Sequence, residues 1–157
     1  MSLLTTADSE IYYEFHGDGP PLVLIHGASG THLSWWQQVA ELRYHYSCLI
    51  YDLRGYGRSR TLGQPHDPGD GHVHANDLKA LLAHVGLSGE KLHVMGASLG
   101  TAVAMHFAAD HPERMASLIL CCGPGTISTP LIDEGWRLRN ERMQARYRQV
   151  DTQESSL

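Results

Sequence analysis

The sequence has few cysteines, no cluster of basic residues and no long apolar run. Its three cysteines are an odd number and lie in predicted buried strands, so Cys48, Cys121 and Cys122 are expected to be reduced core thiols rather than a disulfide framework. A formal net charge of −5 without a basic patch argues against nucleic-acid binding. No stretch is long and apolar enough to cross a membrane, and the first residues lack a signal-peptide pattern. We therefore expect a cytoplasmic protein with no membrane partner.

Short apolar runs alternate with segments of helical periodicity along the chain. This alternation predicts an α/β protein whose mostly parallel sheet has helices on both faces. The first two predicted strands are joined by Gly17-Asp18-Gly19-Pro20 and are expected to form a hairpin. The predicted strands are 10–16, 21–26, 46–51, 91–96 and 116–122. The predicted helices are 33–43, 75–85, 99–110 and 130–148.

The most informative stretch is Gly96-Ala97-Ser98-Leu99-Gly100, which separates a predicted strand from a predicted helix. Strand, tight turn and helix together are the context of a nucleophile elbow, in which a strained turn lifts the serine hydroxyl clear of the sheet. We expect Ser98 to have a backbone φ near or above zero. The helix N-terminus would direct its free N–H groups toward the same space. The alternative is a serine that only caps the helix.

Two further turns follow predicted strands. His26-Gly27-Ala28 follows an apolar run and precedes Trp35 and Trp36, and residues 52–59 (Asp-Leu-Arg-Gly-Tyr-Gly-Arg-Ser) follow another run. Because ligands bind beyond the carboxyl ends of strands in such sheets, all three motifs are expected at one edge. In this order the motifs resemble those of the α/β-hydrolase superfamily, in particular its small capped serine hydrolases. The resemblance covers nearly all of residues 10–125.

The resemblance implies acyl transfer to water without a metal or a cofactor. Ser98 would attack the carbonyl of a small ester, lactone or related acyl substrate, and the backbone N–H groups of Ala28 and Leu99 would hold the oxyanion. Hydrolysis of thioesters, amides and carbon–carbon bonds, and haloperoxidase activity, stay open. A serine at the elbow argues against haloalkane dehalogenase and epoxide hydrolase chemistry. The supporting residues are His26, Gly27, Gly96 and Gly100.

The base and acid of a catalytic triad have no evident place in the sequence. In the superfamily they follow the serine, but only His106 and His111 come after Ser98, and both lie in or at the end of its helix. The chain is therefore expected to be incomplete, without the last strands of the hydrolase fold. Residues 1–127 would be the N-terminal part of the core, and residues 128–157 the start of a helical cap and tail. The alternative function is a non-catalytic half-hydrolase that binds a ligand or partner, or a remnant.

The expected incompleteness of the chain predicts that copies of it associate. Strands and a cap would normally cover apolar surface that this chain leaves exposed, and monomers rarely expose large apolar patches. We expect dimerisation through that surface, a loosely held tail or poor solubility.

Other histidines and an aspartate need separate assignments. His72 and His74 are spaced as in a zinc motif, but Asn76 and Asp77 stand where its aspartate and histidine should be, so no metal site is predicted. A role for these two histidines as a surrogate base for Ser98 is left as an alternative. Asp52 is expected to organise its loop through hydrogen bonds to backbone groups rather than to act as the triad acid.

Overall fold

The computed structural model describes residues 2–64 and 67–123. Their strands form one sheet in the order β1-β2-β4-β3-β6-β7, with β5 paired to β2. Within these described ranges, two short 3-10 helices, His32–Trp35 and Pro112–Arg114, accompany three α-helices. The strands are β1 (Ser2–Thr5), β2 (Ser9–His16), β3 (Pro21–Ile25), β4 (Ser47–Tyr51), β5 (Arg60–Thr61), β6 (Leu92–Ala97) and β7 (Met115–Cys121). The helices are α1 (Trp36–Leu42), α2 (Gly71–His84) and α3 (Leu99–Asp110).

The predicted helix 130–148 and the predicted boundary between residues 127 and 128 lie outside the described residues. Among the described helices, none combines the length and the apolar character that a membrane span needs.

The centre of the sheet is parallel, which confirms the predicted fold class. Strands β4, β3, β6 and β7 pair in parallel, whereas β1, β2 and β5 pair antiparallel at one side. The predicted hairpin of the first two strands is wrong, because β4 lies between β2 and β3. In β2, Tyr13 is opposite Tyr51 of β4.

Close contacts of the linking turn show how the chain crosses from β2 to β3. A Cβ atom on Gly17, whose φ is +86°, would lie 2.1 Å from the carbonyl oxygen of Arg43. One on Gly19 would lie 2.6 Å from the carbonyl oxygen of His45. The turn therefore packs directly on the loop that leads into β4, and the chain passes over this strand before it enters β3.

Strand β3 shows how the sheet divides the core into two layers. Leu22 and Leu24 pack on one face with Trp35 and with Val39 of α1. The alternate residues of the strand belong to the larger cluster on the other face, which contains the buried side chains of α2 and α3. This alternation follows the two-residue period of a strand and confirms that helices cover both faces.

The last described strand, β7, differs from the buried strand that was predicted. Leu118, Ile119 and Leu120 are 38%, 41% and 45% exposed. Cys48 is buried as expected, but Cys121 is only half-buried and Cys122 is exposed after the strand ends, so their assignment to the core is wrong. Within the described residues β7 pairs only with β6, so no further strand shields its side chains.

Candidate active site

Ser98 stands at a strained turn between β6 and α3. Its backbone has φ +52° and ψ −115°, as expected, and its side chain makes no capping hydrogen bond to the helix. The interpretation of Ser98 as a mere helix cap is therefore wrong. The first turn is closed instead by Thr101, whose N–H and Oγ1 donate to the Ser98 carbonyl oxygen at 2.9 and 2.6 Å. The Ser98 hydroxyl therefore makes no hydrogen bond that caps the helix.

The two glycines of the elbow allow α3 to pass close to the sheet. A Cβ atom on Gly96 would lie 2.2 Å from the carbonyl oxygen of Gly100. One on Gly100 would lie 2.3 Å from the carbonyl oxygen of Ile25. Backbone atoms cannot give way as a flexible side chain can, so any larger residue at either position would displace the helix from the strands.

The structure brings the turn after β3 against Ser98. A Cβ atom on Gly27 would lie 2.9 Å from Ser98 Cβ and 3.6 Å from Ser98 Oγ. The Gly27 carbonyl accepts the Gly30 N–H at 3.0 Å, which closes the turn. Ala28 and Leu99, the expected oxyanion donors, directly follow Gly27 and Ser98 in the chain. Leu99 is also the first residue of α3, whose N–H has no acceptor within the helix.

His26 supports this turn through both ring nitrogens. Nε2 accepts the backbone N–H of Leu53 at 2.9 Å, so the proton lies on Nδ1, which donates to the Gly27 carbonyl oxygen at 2.7 Å. The ring is fully buried, and burial lowers the pKa of His26 below its usual value. A neutral imidazole with both nitrogens engaged is suited to holding the turn rather than to taking a proton from Ser98.

Asp52 organises the loop that follows β4. Its Oδ1 accepts from the backbone N–H and from Nδ1–H of His32 at 2.6 and 2.8 Å. Its Oδ2 accepts the Arg58 N–H at 2.8 Å. Gly57, with φ +55°, permits this approach, since a Cβ atom there would lie 2.3 Å from Oδ2. The carboxylate is thus committed to the loop and to His32, which agrees with the expected organising role.

Arg54 joins the same loop to helix α2. Its guanidinium donates to both carboxylate oxygens of Asp77 at 2.9 and 2.5 Å, and to both of Asp8 at 2.8 and 3.2 Å. The hydrogen bonds with Asp77 raise the pKa of Arg54 further above its already high value. Arg54 and Asp77 are both buried. Sequence reasoning missed this pair, because 23 residues separate its partners.

His72 and His74 have partners other than Ser98. The His74 ring is buried, and its Nε2 lies 3.0 Å from the Pro68 carbonyl oxygen. The His72 ring stacks on His106, with ring centroids 3.7 Å apart. His106 comes eight residues after Ser98, about 12 Å along the axis of an α-helix. These contacts give no support to the surrogate-base alternative. Within the described ranges, no three His, Cys, Asp or Glu side chains group to hold a metal ion.

His32 is a buried residue that the sequence did not single out. It forms an aspartate–histidine pair with Asp52, but its Nε2 faces β2, 3.5 Å from Oε1 of Glu14. The ring therefore points toward the sheet rather than offering a base to Ser98. Twenty residues separate His32 from Asp52, and no spacing pattern in the sequence marks the pair.

The elbow at Ser98, the turn after β3 and the loop after β4 agree with a comparison with protein families. Residues 20–156 match the family described as the alpha/beta hydrolase fold. The chain belongs to the α/β-hydrolase family. The match covers the turn after β3, the loop after β4 and the elbow.

Individual α/β-hydrolases extend the comparison. The chain is 34% identical over 113 residues to a pimeloyl-[acyl-carrier protein] methyl ester esterase of Vibrio campbellii, covering 71% of this chain and 40% of that protein. It is 29% identical over 140 residues to a 2-hydroxy-6-oxo-6-phenylhexa-2,4-dienoate hydrolase of Comamonas testosteroni, covering 84% and 47%. A solved esterase from Thermogutta terrifontis superimposes with a TM-score of 0.76 at 33% identity, covering 85% and 48%. The chain thus spans less than half the length of each.

Proposed function

We propose that the protein is a serine hydrolase of small esters, lactones or related acyl compounds, with Ser98 as the nucleophile. The observation that carries the proposal is the contact between the strained Ser98 turn and Gly27. It brings the residues that precede Ala28 and Leu99 together at the carboxyl ends of β3 and β6. Two relatives named as esterases fit this substrate class.

The proposed reaction begins with attack of Ser98 Oγ on the substrate carbonyl carbon. The carbonyl oxygen becomes an oxyanion that accepts hydrogen bonds from the N–H groups of Ala28 and Leu99. One such donor typically contributes about 3–4 kcal/mol of transition-state stabilisation. Collapse of the intermediate breaks the bond to the leaving alcohol and leaves an acyl group on Ser98, which water then hydrolyses.

Proton transfer needs a base that the described residues do not place beside the nucleophile. Across residues 2–64 and 67–123, no histidine forms a hydrogen bond with Ser98 Oγ. Because the matched relatives are more than twice as long as the aligned region, we propose that a longer polypeptide supplies the histidine and its acid. The 157 residues alone should then turn over slowly, since a serine without its base is a poor nucleophile.

Covalent labelling tests the nucleophile separately from turnover. The chain, Ser98→Ala and the control Ser88→Ala are treated with a fluorophosphonate and analysed by peptide mass spectrometry. Ser88 is exposed after α2 and remote from the elbow in the chain. We expect slow labelling of Ser98 in the chain and in Ser88→Ala, because the oxyanion donors remain although no base activates the serine, and no label in Ser98→Ala. Equal labelling of all three proteins would contradict the assignment.

Turnover of p-nitrophenyl acetate then separates the two candidate functions. We expect slow release of p-nitrophenol by the chain and none above background by Ser98→Ala. A binding protein without catalytic function is the second candidate. It is favoured by the lack of a base beside Ser98 among the described residues, and it would show neither labelling nor turnover. Robust turnover that is lost in Ser98→Ala and in His72→Ala/His74→Ala would instead make those histidines the base.

A further inference from the structure

The turn that carries Ala28 is held at both ends by adjacent residues of the loop after β4. At its start, His26 Nε2 accepts the Leu53 N–H at 2.9 Å. At its end, the His32 N–H and Nδ1–H donate to Asp52 Oδ1 at 2.6 and 2.8 Å. The two anchors are thus one peptide unit apart, and residues 27–31 form a short closed segment between them.

The anchor at Asp52 is itself rigid. Its second carboxylate oxygen accepts the Arg58 N–H at 2.8 Å. Its carbonyl oxygen accepts the Ser59 hydroxyl at 2.7 Å, and Ser59 Oγ in turn accepts the Tyr12 N–H at 2.9 Å. Contacts with strand β2 and with both ends of the loop therefore fix Asp52, whose carboxylate accepts the hydrogen bonds of His32.

The opposite edge of the His32 ring faces Tyr12 and Glu14. Nε2 lies 3.5 Å from Glu14 Oε1, and the ring packs against Tyr12 with centroids 4.9 Å apart. Glu14 accepts a hydrogen bond from the Tyr12 hydroxyl and lies 2.8 Å from His16 Nε2 through Oε2. Within the described residues Nε2 makes no hydrogen bond, so the bond from Nδ1–H to Asp52 is the polar contact that orients the ring.

We propose that His32 is a positioning residue that fixes the N–H of Ala28 toward the oxyanion by tying the far end of its turn to Asp52. The inference rests on the proposed function of Ser98. His26 alone would hold only the near end, and Ser29, with φ +66°, gives the segment a strained backbone that can relax if one end is released. A displacement of about 1 Å at a reacting group can cost about a hundredfold in rate.

Substitutions at position 32 separate positioning from stability. His32→Leu lacks the side-chain N–H group that donates to Asp52. His32→Asn restores such a donor, because the amide nitrogen of asparagine is two bonds from Cβ, as is Nδ1 of histidine. Val39→Ala is the control. Val39 of α1 is buried on the face of the sheet that carries Leu22 and Leu24, and its side chain makes neither of the two anchoring contacts. His32→Ala serves the same purpose as His32→Leu if the leucine variant does not fold, since alanine also has no donor for Asp52.

Two readouts are measured on each protein: amide hydrogen exchange of Gly30 by NMR, since its N–H donates to the Gly27 carbonyl oxygen and closes the turn, and the fluorophosphonate labelling rate of Ser98. We expect His32→Leu to accelerate exchange at Gly30 and to slow labelling about tenfold to a hundredfold. His32→Asn should restore most of both values, and Val39→Ala should change neither despite its lower melting temperature.

The result that overturns the proposal is an unchanged Gly30 exchange rate in His32→Leu, or an equal change in Val39→Ala. Failure of the proposed function has a different signature. In that case the unmodified chain is not labelled at Ser98, while the Gly30 exchange rates still show whether His32 holds the turn.

Discussion

Gly27 touches Ser98 so closely that the two residues leave no room for one further carbon atom. A Cβ atom on Gly27 would lie 2.9 Å from Ser98 Cβ and 3.1 Å from the Ala97 carbonyl oxygen. The turn that carries one expected oxyanion donor is therefore in direct contact with the turn that carries the nucleophile. A change at Gly27 must move one of them.

Substitution of Gly27 tests this contact. We expect Gly27→Ala to slow labelling of Ser98 by at least about tenfold and to lower stability by about 1–3 kcal/mol, because the added methyl overpacks the two turns. Gly89→Ala is the matched control, since a Cβ atom on Gly89 meets nothing within 4 Å. Urea denaturation and labelling rates measure the two effects. Equal behaviour of both variants would contradict the close contact.

Removal of one partner from the buried pair of Arg54 and Asp77 should be strongly destabilising. Arg54→Met leaves Asp77 buried without its cation, and breaking one partner of a buried pair typically costs about 3–5 kcal/mol. We expect a correspondingly large fall in the urea midpoint for Arg54→Met. Arg43→Met, at an exposed arginine after α1, should change the midpoint little. A small effect of Arg54→Met would show that the loop and α2 hold together without the pair.

The pH dependence of stability should carry a contribution from Glu14. The Tyr12 hydroxyl hydrogen bond holds the pKa of Glu14 below its ordinary value of 4.5. At pH values between the lowered pKa of Glu14 in the folded protein and its ordinary pKa in the unfolded protein, the folded protein therefore binds fewer protons than the unfolded protein. The stabilisation from Glu14 is complete above pH 4.5 and is lost as the pH falls through the lower folded value.

Melting temperatures of the chain and of Glu14→Gln measure this contribution. We expect the chain to be the more stable at pH 6 and the difference to shrink toward pH 3. Glu41→Gln, on the exposed side of α1, is the control and should show no such trend. A difference that stays constant with pH would mean that the Glu14 charge contributes nothing.

Strand β7 is the surface through which we expect two copies of the chain to associate. Its exposed Leu118, Ile119 and Leu120 are flanked by no charged residue within the strand. Among the described strands β7 lies at the edge of the sheet, and edge strands without charges pair readily with another chain. Sedimentation should show a dimer that Ile119→Lys shifts to monomer, whereas Thr61→Lys in β5 should leave it unchanged. A monomer at high concentration would contradict this expectation.

The sequence by itself determined the features that act over a few residues. Glycine spacing and the switch from strand to helix predicted the positive φ of Ser98. The alternation of apolar runs with helical segments predicted a mostly parallel sheet with helices packed on both faces. The sequence also placed the start of α3 correctly at Leu99, but placed α2 four residues late, because the side chain of Asp70 accepts from the His72 N–H and begins the helix at Gly71. Strands β1 and β5 were missed, since such short runs show little periodicity.

Only the tertiary structure decided the contacts between distant segments. The Arg54–Asp77 and His32–Asp52 pairs join residues 23 and 20 apart, and the placement of β4 between β2 and β3 ruled out the expected hairpin. The exposure of Cys121 and Cys122 likewise depended on which strand neighbours β7. Such pairings depend on how the connections cross the sheet and on which backbone atoms then come into contact, and neither propensity nor periodicity along the chain carries that information.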